Sequence, residues 1–167
     1  MSALLFVCTG NTCRSPMAEV IARDVAARRG LAVEIRSAGL MTGTGSPAAE
    51  HARRVAAVRG LDLSEHRSSR LTPDLLARAG LVLGMTNRHV DAVRSVAPDR
   101  DTRLVTAFLP AGHPLAGSSI PDPFGGGLAD YERTWETLET AIEALFDEFA
   151  PDEASDTDPE VPPGGRK

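Results

Sequence analysis

Ala3-Leu4-Leu5-Phe6-Val7-Cys8-Thr9-Gly10-Asn11-Thr12-Cys13-Arg14-Ser15-Pro16 is the stretch around which the rest of the chain is organised. It begins as a continuous apolar run ended by a glycine-containing loop, the pattern of a strand buried on both faces. It ends by opening a helix, with Ser15 placed to cap it and Pro16 suited to its first position. Between them lie a thiol (Cys8), five loop residues (Thr9, Gly10, Asn11, Thr12, Cys13) and an arginine (Arg14). Such a segment describes a socket for a tetrahedral oxyanion. Loop amides and the start of the helix turn partial positive charge inward, so a phosphate can sit there without a metal. Arg14 adds a planar fork that grips two oxygens at once. The same field makes the Cys8 thiolate easier to form, and a thiolate is the nucleophile that phosphoryl transfer to sulfur requires.

The remainder of the chain supplies what such a loop needs around it. Its 167 residues suit one domain with a sizeable core. A formal net charge of −5 argues against nucleic acid or an anionic membrane surface as partner. It leaves a local anion site open, because a buried loop makes its own field. The N-terminal apolar run is too short for a signal-peptide core or a membrane span, so a cytosolic protein is expected. There thiols stay reduced, and Cys8 and Cys13 read as reactive groups rather than a structural staple.

Further along, Met17, Val20, Ile21 and Val25 recur at helical spacing up to Gly30, and Ala32 to Arg36 reads as a second strand broken by Ser37-Ala38-Gly39. A helix is expected from Pro47 to Arg59, an irregular link holding His66 from Leu61 to Thr72, and a short helix from Pro73 to Ala79. Leu81 to Met85 is a third buried strand, followed by a helix capped by Thr86 or Asn87. Leu104 to Thr106 is a weaker fourth strand. Pro110 to Gly127 is too long for a plain connector. Leu128 to Phe149 carries one apolar face of a long helix. The tail, 151–167, lacks apolar periodicity and is expected to be disordered, leaving 1–150 as the domain. Alternating strands and helices mean a parallel sheet covered on both faces, with its ligand beyond the carboxyl ends of the strands.

Phosphoryl transfer also needs a group to protonate the departing atom, and 23 Asp and Glu residues offer no choice by composition. Position favours Asp122 in Ile120-Pro121-Asp122-Pro123-Phe124, where prolines on both sides present one carboxylate rigidly beside one ring. A plain turn residue is the alternative. The four histidines show no ligand spacing, so neither a metal nor a cofactor is expected.

The run Cys8 to Glu19, with Asp122-Pro123-Phe124-Gly125-Gly126, resembles the low-molecular-weight protein tyrosine phosphatase family, and within it the bacterial protein arginine phosphatase branch. Arg36-Ser37-Ala38-Gly39, His66 with the serines that follow it, and Leu81-Val82-Leu83-Gly84-Met85-Thr86 add to the likeness, which covers roughly residues 3 to 149. The resemblance implies a single-domain three-layer α/β sandwich, flavodoxin-like, with a four-stranded parallel sheet in the order 2-1-3-4. It implies that Cys8 attacks phosphorus, Arg14 and the loop amides hold the oxygens, and Asp122 protonates the leaving group, then activates water. It gives Ser15 a hydrogen bond to the Cys8 sulfur, and Asn11 a left-handed backbone tied to neighbours such as Ser37 and His66. Phe124 becomes a substrate wall. The partners implied are phosphorylated proteins, and a monomer is expected.

Thr12 carries the expectation of phosphoarginine, since the resemblance puts a larger apolar residue there in tyrosine-directed members. Thr9 and Gly125 point the same way, while Phe124 suits a phenol or a guanidinium equally. Neutral drift of Thr12 in a tyrosine phosphatase is the alternative. Cys13 reads either as a resolving thiol for Cys8 or as small packing under the loop. An arsenate reductase would need further cysteines, and none follows Cys13. A non-catalytic phosphate or redox sensor would have no use for Cys8, Arg14, Ser15 and Asp122 together.

Overall fold

The computed structural model describes residues 3–149; the expected disordered tail lies outside them. Strands β1 (Ala3–Cys8), β2 (Glu34–Gly39), β3 (Leu81–Gly84) and β4 (Thr102–Leu104) form one parallel sheet in the order β2-β1-β3-β4. Helices α1 (Arg14–Arg28), α2 (Glu50–Val58), α3 (Pro73–Arg78), α4 (Asn87–Val96) and α5 (Leu128–Glu148) cover it, with a 3-10 turn at Val105–Phe108.

All six residues of β1 are buried, because β1 is central and both faces are covered. Leu4, Phe6 and Cys8 turn to the face packed by α1, α2 and α5, where Met17, Ile21, Val55, Trp135 and Leu138 meet them. Leu5 and Val7 turn the other way, onto Leu76 of α3 and Val93 of α4. The chain leaves β1 for β2 on one side and later crosses to β3 on the other. The carboxyl end of β1 therefore stands where strand order reverses, the position that ligands occupy in such sheets. Among the described residues no helix is long and apolar enough to cross a membrane.

Four expected boundaries moved, each for a physical reason. β2 runs on through Ser37, Ala38 and Gly39, which pair with Phe6, Val7 and Cys8; turn-prone residues stay extended because a central neighbour satisfies their backbone. Helix α2 starts at Glu50, because Pro47 is held in an isolated bridge with Arg67. The fourth strand is Thr102–Leu104, since Val105 and Thr106 already belong to the 3-10 turn. Ser15 does not cap α1: the helix begins two residues earlier than expected, at Arg14, with Cys13 at the cap position and no side-chain cap.

Gly39 ends β2 directly beneath the anion loop. A Cβ there would lie 2.7 Å from Thr42 Cγ2 and 2.8 Å from the Thr9 carbonyl oxygen, too close for either to stay put. Gly39→Ala is expected to cost about 1–3 kcal/mol of stability through overpacking and to weaken oxyanion binding. Denaturant melts with and without vanadate measure both; unchanged vanadate protection would show that the loop does not rest on this strand end.

Candidate active site

The last residue of β1 delivers a thiol to the floor of the loop. Cys8 Sγ lies 2.9 Å from Ser15 Oγ, and the Asn11 amide donates to it at 3.2 Å. The direction of the serine proton follows from its neighbours. Ser69 N–H donates to Asn11 Oδ1 at 2.8 Å, which places the Asn11 NH2 on the other side. That NH2 donates to Ser15 Oγ at 2.8 Å and to Ser37 Oγ at 2.9 Å. Ser15 already accepts from Asn11, so its own proton is free for the Cys8 sulfur. Being fully engaged here explains why Ser15 is unavailable as a helix cap.

Asn11 is the one non-glycine among the described residues with positive φ, at 52°. Such a backbone costs an ordinary L-residue roughly 1–2 kcal/mol, and here it is held from every side. Besides the bonds above, His66 Nε2–H donates to the Asn11 carbonyl oxygen at 2.8 Å. Ser37 in turn donates to Glu19. The turn aims the Asn11 N–H at sulfur while the carbonyl faces away.

Arg14, the first residue of α1, is almost wholly buried. Its Nη1 donates to the Ile120 carbonyl oxygen at 3.1 Å, its Nη2 lies 3.3 Å from Asp122 Oδ2, and its buried Nε has no partner among the described residues. Asp122 is half exposed, and its Oδ1 accepts the Phe124 amide at 3.2 Å. The long loop that carries it is tethered by Ile120 N–H to the Met85 carbonyl oxygen at 2.9 Å, at the end of β3. Phe124 stands at the rim, 75% exposed. Gly125 has φ 79°, so the absence of a side chain there has a conformational reason of its own.

Cys8, Thr9, Gly10, Thr12, Cys13, Arg14, Asp122 and Phe124 together line one cavity of about 210 Å³. Ser15, Asn11, Ser37 and His66 support it from behind. Both cysteines are free thiols. The Tyr131 hydroxyl lies 3.3 Å from the Cys13 sulfur. Burial pushes the Cys13 thiol up, against the opposing hydrogen bonds of Tyr131 and Thr12.

Four contributors were given no role by sequence reasoning. Glu19 and Ser69 fall within the stretches that carry the resemblance, but nothing local shows that they reach Ser37 and Asn11. Tyr131 belongs to the apolar stripe of α5, where nothing local separates it from its core neighbours. His89 hydrogen-bonds Thr9, 80 positions away in the chain. A histidine three residues after Thr86, at the start of a helix, was the only available hint. No group of three or more His, Cys, Asp or Glu side chains among the described residues could hold a metal ion.

Comparison with known proteins agrees with this geometry. The sequence model of the low molecular weight phosphotyrosine protein phosphatase family matches residues 3–155. A protein-arginine-phosphatase of Bacillus subtilis (strain 168) is 36% identical over 151 residues, spanning 89% of this chain and 97% of that protein. Etp of Escherichia coli (strain K12), a low molecular weight protein-tyrosine-phosphatase, is 34% identical over 140 residues, 84% of this chain and 89% of its own length. Among solved structures, a cysteine-to-serine mutant of the YwlE arginine phosphatase, carrying a phosphorylated active-site serine, superposes with a TM-score of 0.82 at 34% identity. It covers 90% of this chain and 97% of its own. On sequence and on structure alike, the chain belongs to the low molecular weight phosphotyrosine protein phosphatase family.

Proposed function

We propose that the protein hydrolyses phosphorylated arginine side chains of proteins through a phosphocysteine intermediate formed on Cys8. The observation that carries this is the cavity floor. There one sulfur faces a backbone N–H and a serine hydroxyl, beside a buried arginine whose Nε is unspent.

In the first step the Cys8 thiolate attacks phosphorus opposite the leaving group. The S–P bond forms as the P–N bond breaks, and the Asp122 carboxylic acid gives its proton to the departing nitrogen. Arg14 and the amides from Thr9 to Ser15 take up the charge on the three remaining oxygens. In the second step water attacks phosphorus, the Asp122 carboxylate accepts its proton, and sulfur leaves as a thiolate steadied by the Ser15 proton. Asn11, Ser37 and His66 keep the loop in shape throughout, and Phe124 forms the wall against the leaving group. The contact between Arg14 and Asp122 gives way when phosphate enters and claims the guanidinium.

Phosphoarginine is favoured over phosphotyrosine by the loop walls. Thr12 and Thr9 line the cavity with short side chains bearing hydroxyls, which leave room for a guanidinium and offer it polar contacts. Asp122 can pair with a guanidinium and has no such partner in a phenol. The likeness to the Bacillus subtilis arginine phosphatase supports the same choice. A second reading, a tyrosine phosphatase, has Phe124 in its favour, since an exposed ring stacks a phenol equally well. We assign the catalytic domain to residues 1–150, in a cytosolic monomer acting on phosphorylated proteins.

Cys8→Ser is expected to drop turnover below about a hundredth while vanadate still binds; a more active variant removes Cys8 as nucleophile. Asp122→Ala should cost about 100-fold on phosphoarginine and much less on p-nitrophenyl phosphate, whose leaving group needs no proton. An equal loss on both contradicts its role as acid. Thr12→Ile should move the ratio of kcat/KM values from phosphoarginine peptides toward phosphotyrosine peptides, and an unchanged ratio ends the specificity argument.

A further inference from the structure

His89 is almost wholly buried in the first turn of α4, and its ring bridges that helix and the anion loop. The Thr86 N–H donates to His89 Nδ1 at 3.1 Å. A backbone amide can only donate, so Nδ1 carries no proton. The ring hydrogen of the neutral histidine then sits on Nε2, 2.8 Å from Thr9 Oγ1. Burial lowers the His89 pKa to about 4, helped by the nearby Arg14 and Arg88 and opposed by Asp122, so the ring stays in this neutral form near neutrality.

The consequence falls on Thr9. Its hydroxyl must accept from His89, which uses one lone pair and leaves the O–H to donate elsewhere. Its side chain makes no other hydrogen bond among the described residues, and it lines the cavity above Cys8. The same residue also borders a larger groove of about 760 Å³ between α3 and α4, so Thr9 is the ridge separating the two. An unrestrained threonine there could turn its hydroxyl to either side.

We infer that His89 is a positioning residue acting through Thr9: its Nε2–H fills one lone pair of the Thr9 hydroxyl and presents the Thr9 O–H, as a donor, to the oxyanion over Cys8. The inference rests on the phosphatase reading and adds a side-chain donor to the loop amides and Arg14. A donor that itself accepts a hydrogen bond is the stronger for it. His89 also has a plainly structural task, since its Nδ1 closes the cap of α4. The two ring nitrogens thus serve different ends, and single substitutions can separate them.

In His89→Asn the side-chain oxygen can still accept the Thr86 N–H, while its reach to Thr9 is lost. In His89→Gln an amide N–H can reach Thr9. Orthovanadate is the oxyanion probe, with its inhibition constant read against p-nitrophenyl phosphate turnover. His89→Asn and Thr9→Val are each expected to raise that constant about tenfold, the worth of one hydrogen bond to a charged group. The double variant should be no worse than either single one, and His89→Gln should recover most of the loss. Additive losses, or an unchanged constant in a folded His89→Asn protein, would overturn the proposal. Should His89→Asn fail to fold, the ring 15N spectrum decides. The Nε2-protonated signal of His89 should move when vanadate is added to the wild-type protein, and respond much less in Thr9→Val. A wild-type signal indifferent to vanadate overturns the proposal as well. A wild-type protein that neither turns over p-nitrophenyl phosphate nor binds vanadate would instead sink the phosphatase reading, and this inference with it.

Discussion

A single left-handed residue, Asn11, holds the anion loop together. Every polar group it has is spoken for: the amide by Cys8, the carbonyl by His66, the side chain by Ser15, Ser37 and the Ser69 amide. Each buried hydrogen bond contributes on the order of 1 kcal/mol, so together they offset the roughly 1–2 kcal/mol that the backbone conformation costs. What the strain achieves is direction. With φ at 52° the chain reverses beside the sulfur and aims the Asn11 N–H at it. Glycine would reach the same φ without strain, yet it would leave Ser15, Ser37 and Ser69 without their partner.

The net charge on this chain runs against an anionic ligand. A net charge of −5 makes distant attraction of a phosphate weak, and screening shortens its reach further. On the function proposed above, capture depends on what lies within a few ångströms: the buried Arg14 guanidinium, the loop amides and the first turn of α1. Arg14 is anchored at Nη1 by the Ile120 carbonyl, so its plane is set before any anion arrives. Asp122 sits on the same guanidinium through Nη2. That placement brings the Asp122 carboxylate to the cavity and sets its charge against that of Arg14.

Support for this site comes from all around the sheet. α1 contributes Glu19 behind Ser37, α4 contributes His89 behind Thr9, and α5 contributes Tyr131 behind Cys13. The tethered loop from Leu109 to Gly127 brings Asp122 and Phe124 across the top. A cavity assembled from so many segments rests on how they pack, and Gly39 at the end of β2, directly beneath the loop, is one such point.

Much of this was legible in the linear chain, because its signals are local. The apolar run to Cys8, the following loop, Arg14 and the Asp122-Pro123-Phe124 turn are each read from adjacent residues. Alternation of strand and helix was enough for a parallel sheet with its site at the strand ends. The extent of β2 was not legible, since Ser37-Ala38-Gly39 stays extended only because β1 lies beside it. The cap of α1 was misread because the Ser15 hydroxyl could serve a helix end or a sulfur, and only the packed loop shows which. Tertiary structure alone decided that Cys13 faces Tyr131, that Ser69 orients the Asn11 amide, and that His89 holds Thr9. Those contacts join residues 58, 80 and 118 positions apart. Hydrogen bonds of that span depend on how helices seat against the sheet, a property that no local stretch of sequence carries.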